Sequence, residues 1–326
     1  MSHGATILGG IAGLSLTADE AAFFRDADPW GFILFGRNVD SPDQLRRLTG
    51  QLREAVGRDA VITVDQEGGR VQRLRAPPWT DWPEPLDQAA AGLRAMWLRY
   101  HLIGQELRAV GIDSNCAPTL DVAQADTHPF LRNRCLGSDP DRVAELGRAA
   151  ADGLLAAGVL PVVKHMPGHG RAIADSHHDL PVVEAAEAEL QALDFAPFRA
   201  LSDLPMGMTA HIRFPALDDA PATASSRMIA LIRRDIGFDG LLMTDDITMN
   251  ALSGTEAERA AASLAAGCDL VLHCNGTIAQ MQPVVAAAGT MSAEAGRRAE
   301  AALSRRVAPQ RADIAALMAE WRALTA

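Results

Sequence analysis

Eight short apolar runs, each followed by a longer segment with helical spacing, set the tightest limit on what this chain can fold into. The runs are TILGGIAG (6–13), GFILFG (31–36), AVITVDQ (60–66), DSNCAP (113–118), LPVVKH (160–165), MGMTAH (206–211), LLMTDD (241–246) and DLVLHC (269–274). Several are almost continuously apolar, the pattern of strands covered on both faces. Helix signals fill the intervals. In SPDQLRRLTGQLREAVG, Ser41 is placed to cap, Pro42 to open the first turn and Gly57 to end the helix. Asp139, Pro140 and Gly158 repeat that arrangement around DPDRVAELGRAAADGLLAAG, and RMIALIRRDIGF and TEAERAAASLAAG follow. The interval 14–30 has room for one short helix, and 84–111 holds one or two long ones. This alternation predicts a TIM (β/α)8 barrel. An open doubly wound sheet is the competing α/β fold, but GGIAG lacks the GxGxxG spacing and no phosphate-binding GxxxxGK loop follows a run. No linker or repeat divides the chain. One barrel domain over 1–326 is expected, with the Ala-rich tail from about 281 to 326 as closing helices.

Composition removes several classes of function. The chain has 30 basic and 41 acidic residues, a net charge of −11. That balance opposes binding to a polyanion, and no basic stripe interleaved with aromatics occurs, so nucleic acid is not an expected partner. Cys116, Cys135, Cys268 and Cys274 are scattered without a CxxC pair, which predicts free, buried thiols in a reducing compartment. The segment MSHGATILGGIAG lacks the cationic start and the apolar length of a signal peptide. No uncharged stretch approaches the roughly 18 residues of a membrane span. A cytoplasmic, monomeric protein with no membrane partner is expected.

A barrel carries its chemistry at the C-terminal ends of its strands. Here those ends hold Asp65 and Glu67, Asn115, Lys164 and His165, His211, and Asp245 with Asp246. Any one of them alone reads as a cap or a solvated ion; apolar runs that end this way repeatedly read as a site. The densest stretch is KHMPGHGRAIADSHHDLP (164–181). Its histidines lack the HxH and HExxH spacings of metal ligands. Within it, Asp175-Ser176-His177 offers a carboxylate that can orient an imidazole as a proton donor and acceptor. LLMTDDITM presents two adjacent carboxylates, of which one should face the barrel mouth; strand parity in the sequence leaves Asp245 and Asp246 equally open. DQEGGRVQRL joins a strand-end Asp to a Gly-Gly turn and two arginines, a combination suited to sugar hydroxyls or a carboxylate.

DQEGGRVQR, KHMPGHGRAIADSHHDLP and MTDDITM, in that order, resemble glycoside hydrolase family 3, and within it the single-domain bacterial β-N-acetylhexosaminidases of cell-wall recycling. The likeness runs from GFILFGRNV to AAGCDLVLHC. It implies Asp245 as nucleophile, His177 as acid/base held by Asp175, and Asp65, Arg73, Arg134, Lys164 and His165 as the residues that bind the terminal sugar. It implies no metal and no cofactor. The substrate it implies is a muropeptide fragment, GlcNAc β-1,4-linked to anhydro-N-acetylmuramic acid, cleaved with retention. Two positions depart from the family pattern. Met166 stands where Phe is common, and Arg171-Ala172 replaces a frequent Asp-Thr. Three rival readings follow from the same residues: a GlcNAc phosphorylase, a metal-dependent barrel hydrolase using His165, His169, His177 and Asp245, and a non-catalytic sugar-binding protein.

Overall fold

All eight runs form parallel strands in the computed structural model, which describes residues 3–173, 179–309 and 312–326. They are β1 (Gly4–Leu8), β2 (Pro29–Leu34), β3 (Val61–Val64), β4 (Ser114–Asn115), β5 (Leu160–Met166), β6 (Met206–Thr209), β7 (Leu241–Asp246) and β8 (Leu270–His273). Hydrogen bonding runs β3-β2-β1-β8-β7-β6-β5-β4. The two end strands then meet, since Asp113 N donates to Ile62 O at 3.0 Å and Cys116 N to Val64 O at 2.9 Å. A doubly wound sheet leaves those edges apart, so this is a nearly closed (β/α)8 barrel. The run 113–118 yields only a two-residue strand because Pro118 has no N–H to continue the ladder.

The helices start and stop where local chemistry directs. Ser41 caps the helix Pro42–Val56 by accepting from Gln44 N, and Gly57 ends it with a left-handed φ of 64°. Asp139 caps Pro140–Ala156 in the same way, through Arg142 N at 2.9 Å. Strand residues sort by parity into two buried layers. Ile7, Ile33, Val61, Val162, Leu241 and Met243 fill the barrel interior. Their neighbours Leu8, Phe32, Ile62, Val163 and Leu242 pack outward against helical side chains such as Leu45, Leu48 and Leu52. Both faces of each strand are therefore dry, which is why the runs read as continuous rather than alternating.

The last helices close the other end. Met291 N donates to His3 O, and Met291, Ala295, Ala299 and Ala302 join the interior cluster, so the helix Ala293–Ser304 covers the N-terminal mouth of the barrel. In the helix Ile314–Thr325, Trp321 packs edge-on against Trp82 with ring centroids 4.9 Å apart. Among the described residues no helix is long and apolar enough to cross a membrane.

One buried carboxylate fastens the seam between β3 and β4. Asp113 accepts from Ile62 N at 2.8 Å, from Arg53 Nη2 at 2.9 Å and from Arg306 Nη1 at 2.7 Å, with only 1% of its side chain exposed. Asp59 binds the same two arginines from the surface, with 70% of its side chain exposed. Asp113→Ala should lower stability by about 3 kcal/mol, since it strands charge that is largely out of water. Asp59→Ala should cost roughly 1 kcal/mol or less. Urea midpoints of the two variants check this; equal losses would show that burial at the seam does not decide the outcome.

Candidate active site

Counting along β7 from its packed residues resolves the paired carboxylates. Leu241 and Met243 lie in the barrel interior and Leu242 lies outside, so Asp245 continues the inward row and Asp246 the outward one. The hydrogen bonds agree. The Asp246 carboxylate accepts from Thr248 N at 3.0 Å, Thr248 Oγ1 at 2.7 Å and Cys274 N at 3.1 Å. Its carbonyl oxygen lies 3.0 Å from His211 Nε2. Asp246 is thus tied into the turn after β7. Among the described residues Asp245 accepts only from Asp246 N, at 2.8 Å, and it lines a cleft of about 210 Å³ at the strands' C-terminal ends. Burial raises the Asp245 carboxyl, but His211, His165, the Asp246 N–H and Lys164 outweigh it and leave it below its ordinary value.

Facing Asp245 is a chain of alternating charges drawn from four segments. Arg73 Nη2 reaches Asp65 Oδ2 at 3.1 Å, and Lys164 Nζ reaches Asp65 Oδ1 at 3.0 Å. Lys164 also holds Glu67 Oε1 at 2.6 Å. Arg134 grips both oxygens of Glu67, Nε at 2.9 Å and Nη2 at 2.8 Å. Arg134 Nη2 then comes within 3.4 Å of His165 Nε2, whose Nδ1 lies 2.7 Å from Asp121 Oδ2. Donation by Arg134 to Nε2 fixes the proton on Nδ1, facing Asp121.

Parity again explains the placement, because Asp65 lies two residues beyond Thr63 on β3, and Lys164 two beyond Val162 on β5. Burial opposes the charges on Asp65, Glu67 and Lys164, and their neighbours overrule it. Lys164 and Arg73 hold the Asp65 carboxyl well below the usual range, Arg134 and Lys164 bring Glu67 down to about 2, and Glu67 with Asp65 raises Lys164 above its ordinary value. The arrangement offers carboxylate acceptors beside ammonium and guanidinium donors at one wall, a pattern suited to a ring of hydroxyl groups.

Asp65, Arg73, Arg134, Lys164, His165 and Asp245, all predicted from the sequence, line this one cleft. Asp175 and His177 lie outside the described residues. Arg132, the neighbour of Arg134, points away and binds the carbonyls of Gln124 and Ala125. Sequence reasoning missed Asp121 entirely and gave Glu67 no role. It also missed Phe35 and Phe130, aromatic residues in the cleft wall. The single signal for Asp121 was a lone charge inside the apolar stretch TLDVA. Among the described residues no group of three or more His, Cys, Asp or Glu side chains could hold a metal ion.

The loop leaving β5 is shaped by its glycines and by the two departures from the family pattern. A Cβ on Gly170 would lie 2.0 Å from Val122 O, so only glycine lets these backbones pass. Arg171 binds the buried Asp194 through Nε at 2.7 Å and Glu189 through Nη2 at 2.9 Å. The Ala172 carbonyl accepts from His128 N at 3.0 Å. Met166 is fully buried in the layer between barrel and helices.

Comparison with known proteins places this architecture. The glycosyl hydrolase family 3 N-terminal domain matches residues 14–308. A β-hexosaminidase of Bordetella avium (strain 197N) is 39% identical over 277 residues, which span 81% of this chain and 79% of that protein. A family 3 β-N-acetylglucosaminidase from Paenibacillus sp. str. FPU-7 superposes with a TM-score of 0.89 at 32% identity, covering 99% of this chain and 68% of the other. Native NagZ from Neisseria gonorrhoeae gives 0.86 at 32% identity, over 99% and 98% of the two chains. Its complex with N-trifluoroacetyl-D-glucosamine gives 0.82 at 31% identity, over 100% and 99%. With nearly the whole chain matched in sequence and in fold, this protein is a glycoside hydrolase and belongs to glycosyl hydrolase family 3.

Proposed function

We propose that the chain is an exo-acting, retaining β-N-acetylglucosaminidase. It removes terminal GlcNAc from muropeptide fragments, GlcNAc β-1,4-linked to anhydro-N-acetylmuramic acid with or without peptide. It acts in peptidoglycan recycling in the cytoplasm, as a monomer and without metal or cofactor, and residues 1–326 serve as one catalytic unit. Asp245 carries the reading: an inward, half-buried carboxylate kept ionised and free of capping duty, facing a wall suited to hydroxyls. The N-acylated glucosamine bound by the gonococcal relative supports GlcNAc as the sugar. The exposed Arg70 at the cleft, beside Arg73, supports an anionic leaving group despite the chain's net charge of −11.

The reaction proceeds by two displacements at the anomeric carbon. Asp245 attacks while the bond to the leaving oxygen breaks, and that oxygen takes the proton of His177, which Asp175 orients. A water then gives a proton to His177 and attacks the same carbon. The ester to Asp245 breaks and GlcNAc leaves with its β configuration retained. Asp65, Arg73, Arg134, Lys164 and His165 hold the sugar hydroxyls throughout.

Release of p-nitrophenol from the β-N-acetylglucosaminide tests the assignment. Asp245→Ala should lower kcat by at least about a thousandfold, the scale expected when a covalent nucleophile is removed. Asp246→Ala should act more mildly and chiefly through stability, because its oxygens serve the turn. EDTA and inorganic phosphate should leave the rate unchanged, and the released sugar should carry no phosphate. An inactive wild type, or equal losses in the two variants, would sink the proposal.

The pH profile gives a second check. Asp245 is held below its ordinary 3.8, so it stays ionised at any pH above about 4. No acid limb of kcat/KM above that pH should therefore belong to it. The alkaline limb should report loss of the His177 proton and flatten in His177→Ala.

A further inference from the structure

His169 lines the cleft with 4% of its surface exposed, and neither of its ring nitrogens has a hydrogen-bond partner among the described residues. Leaving a buried donor and a buried acceptor unmade is costly, and such groups in native proteins call for a cause. The residue is not loosely placed. Its main-chain N–H donates to Asp121 Oδ1 at 2.7 Å, and the close passage of Gly170 past Val122 fixes the chain just after it. Asp121 therefore presents two imidazoles at once, His165 through the ring and His169 through the backbone. Their ring centroids lie 5.8 Å apart.

The wall described above is ionic, whereas this group is neutral. Burial brings His169 down to about 4, so at neutral pH its ring offers one N–H and one lone pair. A hydroxyl or an amide both gives and accepts a hydrogen bond, and either complements such a ring. We infer that His169 is a substrate-binding residue whose imidazole hydrogen-bonds the sugar in the cleft, with Asp121 as the positioning residue behind it. The inference rests on the glycosidase reading and adds to it a contact absent from the sugar-binding set above.

Two variants and one spectrum test it. His169→Leu removes both nitrogens while keeping an apolar body of similar bulk, and His169→Asn restores a donor and an acceptor. In His169→Leu, KM for p-nitrophenyl β-N-acetylglucosaminide and Ki for free GlcNAc should rise roughly tenfold, the scale of one hydrogen bond. His169→Asn should recover part of that loss. The thermal midpoint of His169→Leu should not fall, because no described residue makes a hydrogen bond to the nitrogens; a structural role would lower the midpoint and leave KM alone. In wild type labelled with 15N-histidine, saturating GlcNAc should shift both His169 ring signals. An active wild type whose His169 signals stay in place, or a folded His169→Leu with unchanged KM and Ki, overturns this inference alone. A wild type with no turnover and no GlcNAc binding overturns the glycosidase reading and this inference with it.

Discussion

Glu67 joins the two halves of the charged wall, Lys164 with Asp65 on one side and Arg134 with His165 on the other. A carboxylate with 1% exposure would be untenable alone, yet it is gripped by Arg134 and Lys164 together. Without it Arg134 would lose both of its carboxylate contacts, and Lys164 would be left with Asp65 alone. From this centre the alternation spreads outward, to Asp65 and Arg73 on one side and to His165 and Asp121 on the other. The wall is therefore preorganised, with donors and acceptors fixed before a ligand arrives, in a setting where low dielectric makes each contact stronger than it would be in water.

The fold was legible because its signal is repetitive and local. Eight dry strands announce themselves as apolar runs, and capping residues such as Ser41 and Asp139 mark helix starts within a few positions. Most of the charged side chains that line the cleft could be found in the same way, because barrel geometry gathers strand ends whatever their separation in the chain. What stayed hidden required knowledge of direction or of distant partners. The choice between Asp245 and Asp246 needs the inward row to be counted from packed residues, and a sequence does not say which row is inward. Asp121 and His165 are 44 positions apart, and no spacing rule joins them. Glu67 was visible as an ionisable residue after β3, but its worth comes from Arg134, 67 positions further on.

The two ends of the barrel divide the work. At the β3–β4 seam, Asp113 and its arginines hold the cylinder shut through contacts away from the cleft. At the opposite end, His211 and Asp246 spend their hydrogen bonds on holding one turn, so that Asp245 projects from a fixed base. His211 also contacts Thr223 Oγ1 at 2.8 Å, and Thr223 in turn donates to Ala210 O at 3.0 Å, which links the turn after β7 to the exit of β6. Rigidity around the Asp245 carboxylate thus comes from neighbours hydrogen-bonded into the turn.

The small side chains of the helix Ala293–Ser304 seal the floor of the cylinder, and a sealed floor leaves one doorway. A ligand can enter only by an end, since a chain threaded through its middle would have nowhere to go. The portion nearest the doorway must back out first, and only then does the route to the Asp245 carboxylate reopen to solvent. Traffic in such a blind alley is last in, first out, and the order of departure follows from the architecture before any chemistry is considered.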